Sequence, residues 1–159
     1  MRIFSQNVNG VRARIKGGLE DAIKAINPDI ICLQEFRARP DQVPKSFLSG
    51  YNGYYSIHDK PGYAGAATFV RVGLDQPFLA VDDFPDGSER GRVSILDFKE
   101  FKLINSYSPN SGQRLEKLER RVEWQEQLCR YIKSQMKPVI LCGDLNVAHN
   151  PLDIKNPKS

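Results

Sequence analysis

The sequence predicts an α/β domain with mixed β-sheets, and three observations carry that prediction. Short apolar runs over residues 2–8 and 29–34 flank an amphipathic helical pattern over 16–27. Two further runs, 93–98 and 101–107, are separated only by Lys99-Glu100, which reads as an antiparallel hairpin. A long helical pattern over 115–135 then leads into Val139-Ile140-Leu141-Cys142, an apolar run between Pro138 and Gly143 that is too short for a helix and reads as a buried strand. Strands linked through helices give the α/β class, and the hairpin makes the sheet mixed.

Taken in order, residues 2–8 alternate apolar and polar side chains and meet the turn pair Asn9-Gly10, which leaves Asn7 at a strand end. In 16–27, Leu19, Ala22, Ile23 and Ile26 form one apolar stripe, and Asn27-Pro28 stops the helix. The run Ile30-Ile31-Cys32-Leu33 is followed at once by Gln34-Glu35, so a second polar pair marks a strand end. Residues 36–50 read as a loop with one helical turn in 43–48, and Arg37, Arg39 and Lys45 form either a solvated or a binding face. Residues 51–57 and 64–70 are strands, the second rich in small residues and therefore closely crossed by another backbone. Between them Tyr63 either packs or stacks on a base or sugar. After a short strand at 78–81, the charged loop 82–92 offers Arg90 and Arg92 as phosphate-binding groups or as an ordinary exposed connection. In the long helix, Leu118, Val122, Leu128, Cys129 and Ile132 are expected to face the core, with Trp124 off that stripe.

With 159 residues and 40% hydrophobic content, the chain fits one domain with a real core. A formal charge of +4 is compatible with a polyanionic partner without proving one. Cys32, Cys129 and Cys142 lack metal-type spacing and are expected to be buried thiols in a reducing compartment. No signal peptide precedes the first strand and no run is long enough to cross a membrane, so a cytoplasmic location without membrane partners is expected.

The polar residues at strand ends form a set: Asn7, Glu35, Tyr107 with Asn110, and Asp144 with Asn146. Each is open to a bland reading, since Gly, Asp and Asn are common turn formers. If they converge on one edge they suit phosphodiester hydrolysis, which needs a hard cation, an activated water and donors for developing charge. Mg²⁺ takes only one or two protein carboxylates, so Glu35 can serve as an anchor without a His or Cys cluster, and Asp144 could orient or deprotonate water.

Five ordered motifs carry a resemblance: Asn7-Val8-Asn9-Gly10-Val11-Arg12, Leu33-Gln34-Glu35, Gly62-Tyr63-Ala64-Gly65, Asn105-Ser106-Tyr107-Ser108-Pro109-Asn110, and Gly143-Asp144-Leu145-Asn146-Val147-Ala148-His149. The chain resembles the exonuclease III family of apurinic/apyrimidinic endonucleases, within the endonuclease/exonuclease/phosphatase superfamily. The resemblance implies a four-layer α/β sandwich with mixed sheets and flanking helices. It further implies Mg²⁺- or Mn²⁺-dependent cleavage of double-stranded DNA 5′ to abasic sites, with 3′-to-5′ exonuclease and 3′-phosphodiesterase activities. By the same resemblance Glu35 and Asn9 lie at the metal, Asp144, Asn146, Tyr107 and Asn7 are catalytic, and Arg12, Tyr63, Arg92 and Asn110 approach the DNA. Gln113 stands where some relatives have arginine.

Relatives continue through a second half of the sandwich that carries a metal-site Asp and a Ser-Asp-His motif, and neither occurs here. Residues 1–159 are therefore expected to form a single incomplete domain, the first part of the sandwich with its C-terminal half absent. Alone, it is expected to be inactive or weakly active. The alternatives are one half of a two-chain nuclease, completed by a partner bearing the missing half, and a non-catalytic DNA-binding or interaction fragment.

Overall fold

The computed structural model describes residues 1–84 and 89–153. Two four-stranded mixed sheets lie face to face between helices. The first contains β1 (Ile3–Asn7), β2 (Ile30–Gln34), β3 (Tyr51–Ser56) and β4 (Ala66–Arg71), in the order β1-β2-β4-β3. The second contains β5 (Leu79–Val81), β6 (Val93–Asp97), β7 (Lys102–Tyr107) and β8 (Val139–Asp144), in sequence order. β1 with β2 and β7 with β8 are parallel, and every other pair is antiparallel, including the expected β6–β7 hairpin. The helices are α1 (Val11–Lys16), α2 (Leu19–Ile26) and α3 (Leu118–Lys133).

The period-two alternation of the strands separates three apolar layers. Ile31 and Leu33 of β2 pack with Val11, Leu19 and Ile23 under α1 and α2. Ile30 and Cys32, on the other face of β2, meet Leu96 and Leu103 of the second sheet. Ile95 and Ile104 pack on Trp124 and Leu128 of α3. Helix, sheet, sheet and helix thus give the four-layer sandwich that the motifs imply. Each fully buried Leu or Ile contributes on the order of 1.5–3 kcal/mol.

Several local expectations change. The helix expected over 16–27 is α2, starting at Leu19, and a further short helix, α1, precedes it; Gly18, at φ +87, turns the chain between the two. Asn27, at φ +51, then ends α2. In place of a helical turn, residues 43–48 hold a hydrogen-bonded turn, Phe47 N–H donating to Pro44 O at 2.9 Å, and a 3₁₀ turn started by proline precedes it at Pro40–Gln42. In α3, Trp124 is a core residue at 4% exposure, whereas Leu118, Val122 and Cys129 are exposed. The reason is that Trp124 fills the space against Phe84, with ring centroids 5.6 Å apart. Of the three thiols expected to be buried, only Cys32 is fully so; Cys142 is half-buried because β8 lies at a sheet edge. For the same reason β8 is half-buried along its length rather than a buried strand. Among the described residues, no helix is long and apolar enough to cross a membrane.

Candidate active site

The C-terminal ends of the four parallel strands lie at one edge of the sandwich, the position where α/β folds gather functional groups. Asn7 ends β1, Tyr107 ends β7, Asp144 ends β8, and Glu35 immediately follows β2. Asn7 joins the two sheets' carboxylates. Its Nδ2 donates to Glu35 Oε1 at 2.9 Å and to Asp144 Oδ2 at 2.7 Å, one bond for each amide hydrogen. Its Oδ1 accepts the Asn9 backbone N–H at 2.9 Å, and that bond determines which end of the amide faces the carboxylates.

The backbone is unusual at one acid and beside the other. Glu35 has φ +51, a region that costs a residue with a Cβ on the order of 1 kcal/mol or more. The neighbouring chain imposes it: Gly10 N–H donates to the Glu35 carbonyl at 2.8 Å, and Phe36 N–H donates to Gly65 O at 2.9 Å. The side chain of Glu35 is mostly covered, and its second oxygen, Oε2, is ion-paired with Arg37. Asp144 Oδ1 accepts the Asn146 N–H at 2.9 Å, while Asn146, at φ +48, donates from Nδ2 to Ser108 O at 2.7 Å. Gly143, at φ +135, allows this approach. A Cβ there would lie 1.9 Å from the Ser106 carbonyl oxygen.

Tyr107 is 8% exposed. Burial, and then the adjacent Glu35 carboxylate, push its phenol up to about 12 against the opposing pull of Arg92, so the hydroxyl remains a donor at neutral pH. The Arg92 guanidinium lies 4.8 Å from the Tyr107 ring centroid and donates to the Tyr63 hydroxyl at 2.8 Å. Burial works to discharge Arg92, but Glu89, 2.9 Å from Nε, outweighs it and raises the guanidinium above its ordinary value.

The donor set suits a hard divalent cation. It offers carboxylate and amide oxygens, the ligands such a cation takes. Among the described residues no group of three His, Cys, Asp or Glu side chains that could hold a metal ion is found, so the remaining ligands would have to be water or substrate.

The pattern of the Endonuclease/Exonuclease/phosphatase family matches residues 4–159. The chain belongs to this family. It is 40% identical over 162 residues to an exodeoxyribonuclease of Bacillus subtilis, covering 100% of this chain and 64% of that protein. It is 34% identical to a DNA-(apurinic or apyrimidinic site) endonuclease of Dictyostelium discoideum, covering 100% of this chain and 45% of that one. The solved AP endonuclease of Archaeoglobus fulgidus superposes with a TM-score of 0.82 at 25% identity, over 97% of this chain and 60% of that structure. The Xenopus laevis APE2 catalytic domain gives 0.78 at 26% identity, over 96% and 60%. The chain therefore spans less than two thirds of the length of each of these relatives.

Within this Endonuclease/Exonuclease/phosphatase domain, the residues read from the sequence divide into three groups. Asn7, Glu35 and Asp144 are bonded together, and Tyr107 adjoins Glu35. Asn9 joins through its backbone, and Asn146 through its N–H to Asp144. Arg12 and Asn110 are exposed and make none of these bonds, while Tyr63 is 37% exposed. Arg92 requires correction. It is not part of an exposed connection: it is 4% exposed and ion-paired with Glu89, which also pairs with Arg120. Arg90 is exposed, and residues 85–88 lie outside the described set. Sequence reasoning missed Arg37 as the partner of Glu35, Glu89, and the buried amides Gln34 and Asn105. The available signal for the amides was a polar residue on the inward-facing phase of an apolar strand.

Proposed function

We propose that this chain forms the water- and cation-handling part of a DNA-repair nuclease that hydrolyses the backbone of duplex DNA 5′ to abasic sites, with 3′-to-5′ exonuclease and 3′-phosphodiesterase activities. The carrying observation is the single Asn7 amide that joins Glu35 to Asp144 in a chain similar to an exodeoxyribonuclease and to AP endonucleases.

Glu35, aided by Asn9, would hold Mg²⁺ or Mn²⁺ once Oε2 exchanges Arg37 for the cation. A bound divalent cation would polarise a phosphoryl oxygen and acidify a water. Asp144 Oδ2 would orient the attacking water and accept its proton, and Asn7 holds the two carboxylates at one separation. The Tyr107 hydroxyl, protonated at neutral pH, donates to a phosphate oxygen, and Asn146 shapes the Asp144 turn. Arg12, Tyr63 and Asn110 serve as the rim that meets the DNA backbone, and Arg92 supports it from within by holding Tyr63 and Tyr107.

A second reading, one half of a two-chain nuclease or a non-catalytic DNA-binding fragment, is favoured by the half-exposed β8 edge, where Leu141 is 37% exposed. The test is incision of a labelled duplex bearing one abasic-site analogue by this chain, with Mg²⁺ or with chelator. Metal-dependent incision that disappears in Asp144→Asn supports the nuclease reading for the chain itself. Metal-independent binding without incision by folded protein supports the second.

A further inference from the structure

Directly beneath the site, the gap between the sheets contains four buried polar side chains that the catalytic reading does not use. Gln34 and Thr68 come from the first sheet, Ser94 and Asn105 from the second, all at 2% exposure or less. Gln34 Nε2 donates to Asn105 Oδ1 at 2.7 Å. Asn105 Nδ2 donates onward to Ala67 O at 3.1 Å and to Thr68 Oγ1 at 3.2 Å, and Thr68 Oγ1 meets Ser94 Oγ at 3.1 Å. Asn105 is thus satisfied at both ends of its amide, entirely by partners in the opposite sheet.

The placement of this pair is the telling feature. Gln34 is the residue before Glu35, and Asn105 lies two residues before Tyr107. Asn105 is also paired in register with Cys142, two residues before Asp144. The amide bond therefore ties the strand that presents Glu35 to the strand pair that presents Tyr107 and Asp144. Apolar contacts between sheets tolerate sliding, whereas this hydrogen bond is directional. Gln34 Nε2 also reaches Ser5 Oγ at 3.1 Å and Cys32 O at 3.2 Å within its own sheet, but Gln34 is the donor to the buried Asn105 Oδ1, and leaving that acceptor unpaired is costly.

We propose that Gln34 and Asn105 are the positioning residues of the site: their bond sets the separation across which Asn7 reaches both Glu35 and Asp144. The role at the metal rests on the nuclease reading; the geometric role does not.

The test uses the full chain with two readouts: the Asn7 side-chain amide resonances in a ¹⁵N correlation spectrum, and Mn²⁺ affinity by electron paramagnetic resonance. Asn105→Leu is close in size and removes the bond. It is expected to shift both Asn7 amide protons and to weaken Mn²⁺ binding by about ten-fold or more. The exchanged pair Gln34→Asn with Asn105→Gln, which keeps two amides across the gap, is expected to restore both. Thr68→Val, a gentler change that removes one Asn105 acceptor, is expected to move the same resonances less and covers the case in which Asn105→Leu does not fold. Leu128→Ala under α3 is the control for general destabilisation and should leave the resonances in place. If Asn105→Leu and Thr68→Val lower the melting temperature but leave the Asn7 resonances unchanged, the pair is merely structural and the proposal falls. If the resonances shift while the parent chain binds no Mn²⁺, the positioning role stands and the metal reading fails instead.

Discussion

The gap between the two sheets is built differently at its two ends, although the same four strands build both. At the end away from the site, β2, β4, β6 and β7 contribute Ile30, Val70, Leu96 and Leu103. At the site end they contribute Gln34, Thr68, Ser94 and Asn105, each an even number of residues from its apolar counterpart and so on the same face. The apolar end stabilises without specifying direction, and it borders a cleft of about 280 Å³ lined in part by Ile30, Val70 and Phe98. The polar end has a different task. Satisfied amides add little net stability, on the order of 1 kcal/mol per bond, but they define positions. One end of the gap therefore holds the sandwich together, and the other holds the site in shape.

The largest expected effect separates these roles. Asp144→Asn should lower abasic-site incision by about 10²–10⁴-fold, the loss expected for a positioned base, while costing only about 1 kcal/mol in a denaturant titration. Leu103→Ala, at the apolar end, should do the reverse, lowering stability by about 2–5 kcal/mol by urea unfolding while the folded fraction retains its incision rate. Equal loss of incision per folded molecule in the two variants would break the comparison. Gly143→Ala sharpens it from the site end, because its Cβ must push into the Ser106 carbonyl. A loss of about 1–3 kcal/mol is expected, together with loss of the Asn7-to-Asp144 bond in the side-chain amide spectrum.

The smallest effect is a pH dependence. The folded state raises the Tyr107 phenol from 10.0 to about 12, mainly by burial and then by Glu35. A raised value means the fold favours the protonated form. Its contribution is complete below the unfolded phenol's value near 10 and is lost as pH rises from about 10 to about 12. Tyr107→Phe should flatten the stability profile in that window, measured by denaturant midpoints across the series. A profile unchanged by the substitution would place the alkaline loss at another tyrosine.

The comparison also divides what was legible in the sequence from what was not. The strands, the long helix, the β6–β7 hairpin and the polar residues at strand ends are written in local patterns: alternation, apolar stripes and turn pairs such as Asn9-Gly10 and Asn27-Pro28. Such patterns decide face and length, because each depends on neighbours within a turn or two of chain. Their local exceptions came from single backbone positions, as at Gly18, whose positive φ separates α1 from α2.

The sequence by itself therefore determined the α/β class, the order of the elements and the inventory of chemical groups. Only the tertiary structure decided that Asn7 meets Glu35 and Asp144, the latter 137 residues away, and that Arg92 turns inward to Glu89. It also decided that Trp124 anchors α3 and that Gln34 finds Asn105 across the gap. The reason is physical: periodicity records which face of an element is buried, whereas a hydrogen bond or ion pair depends on where another element's face comes to rest, and no local pattern contains that position.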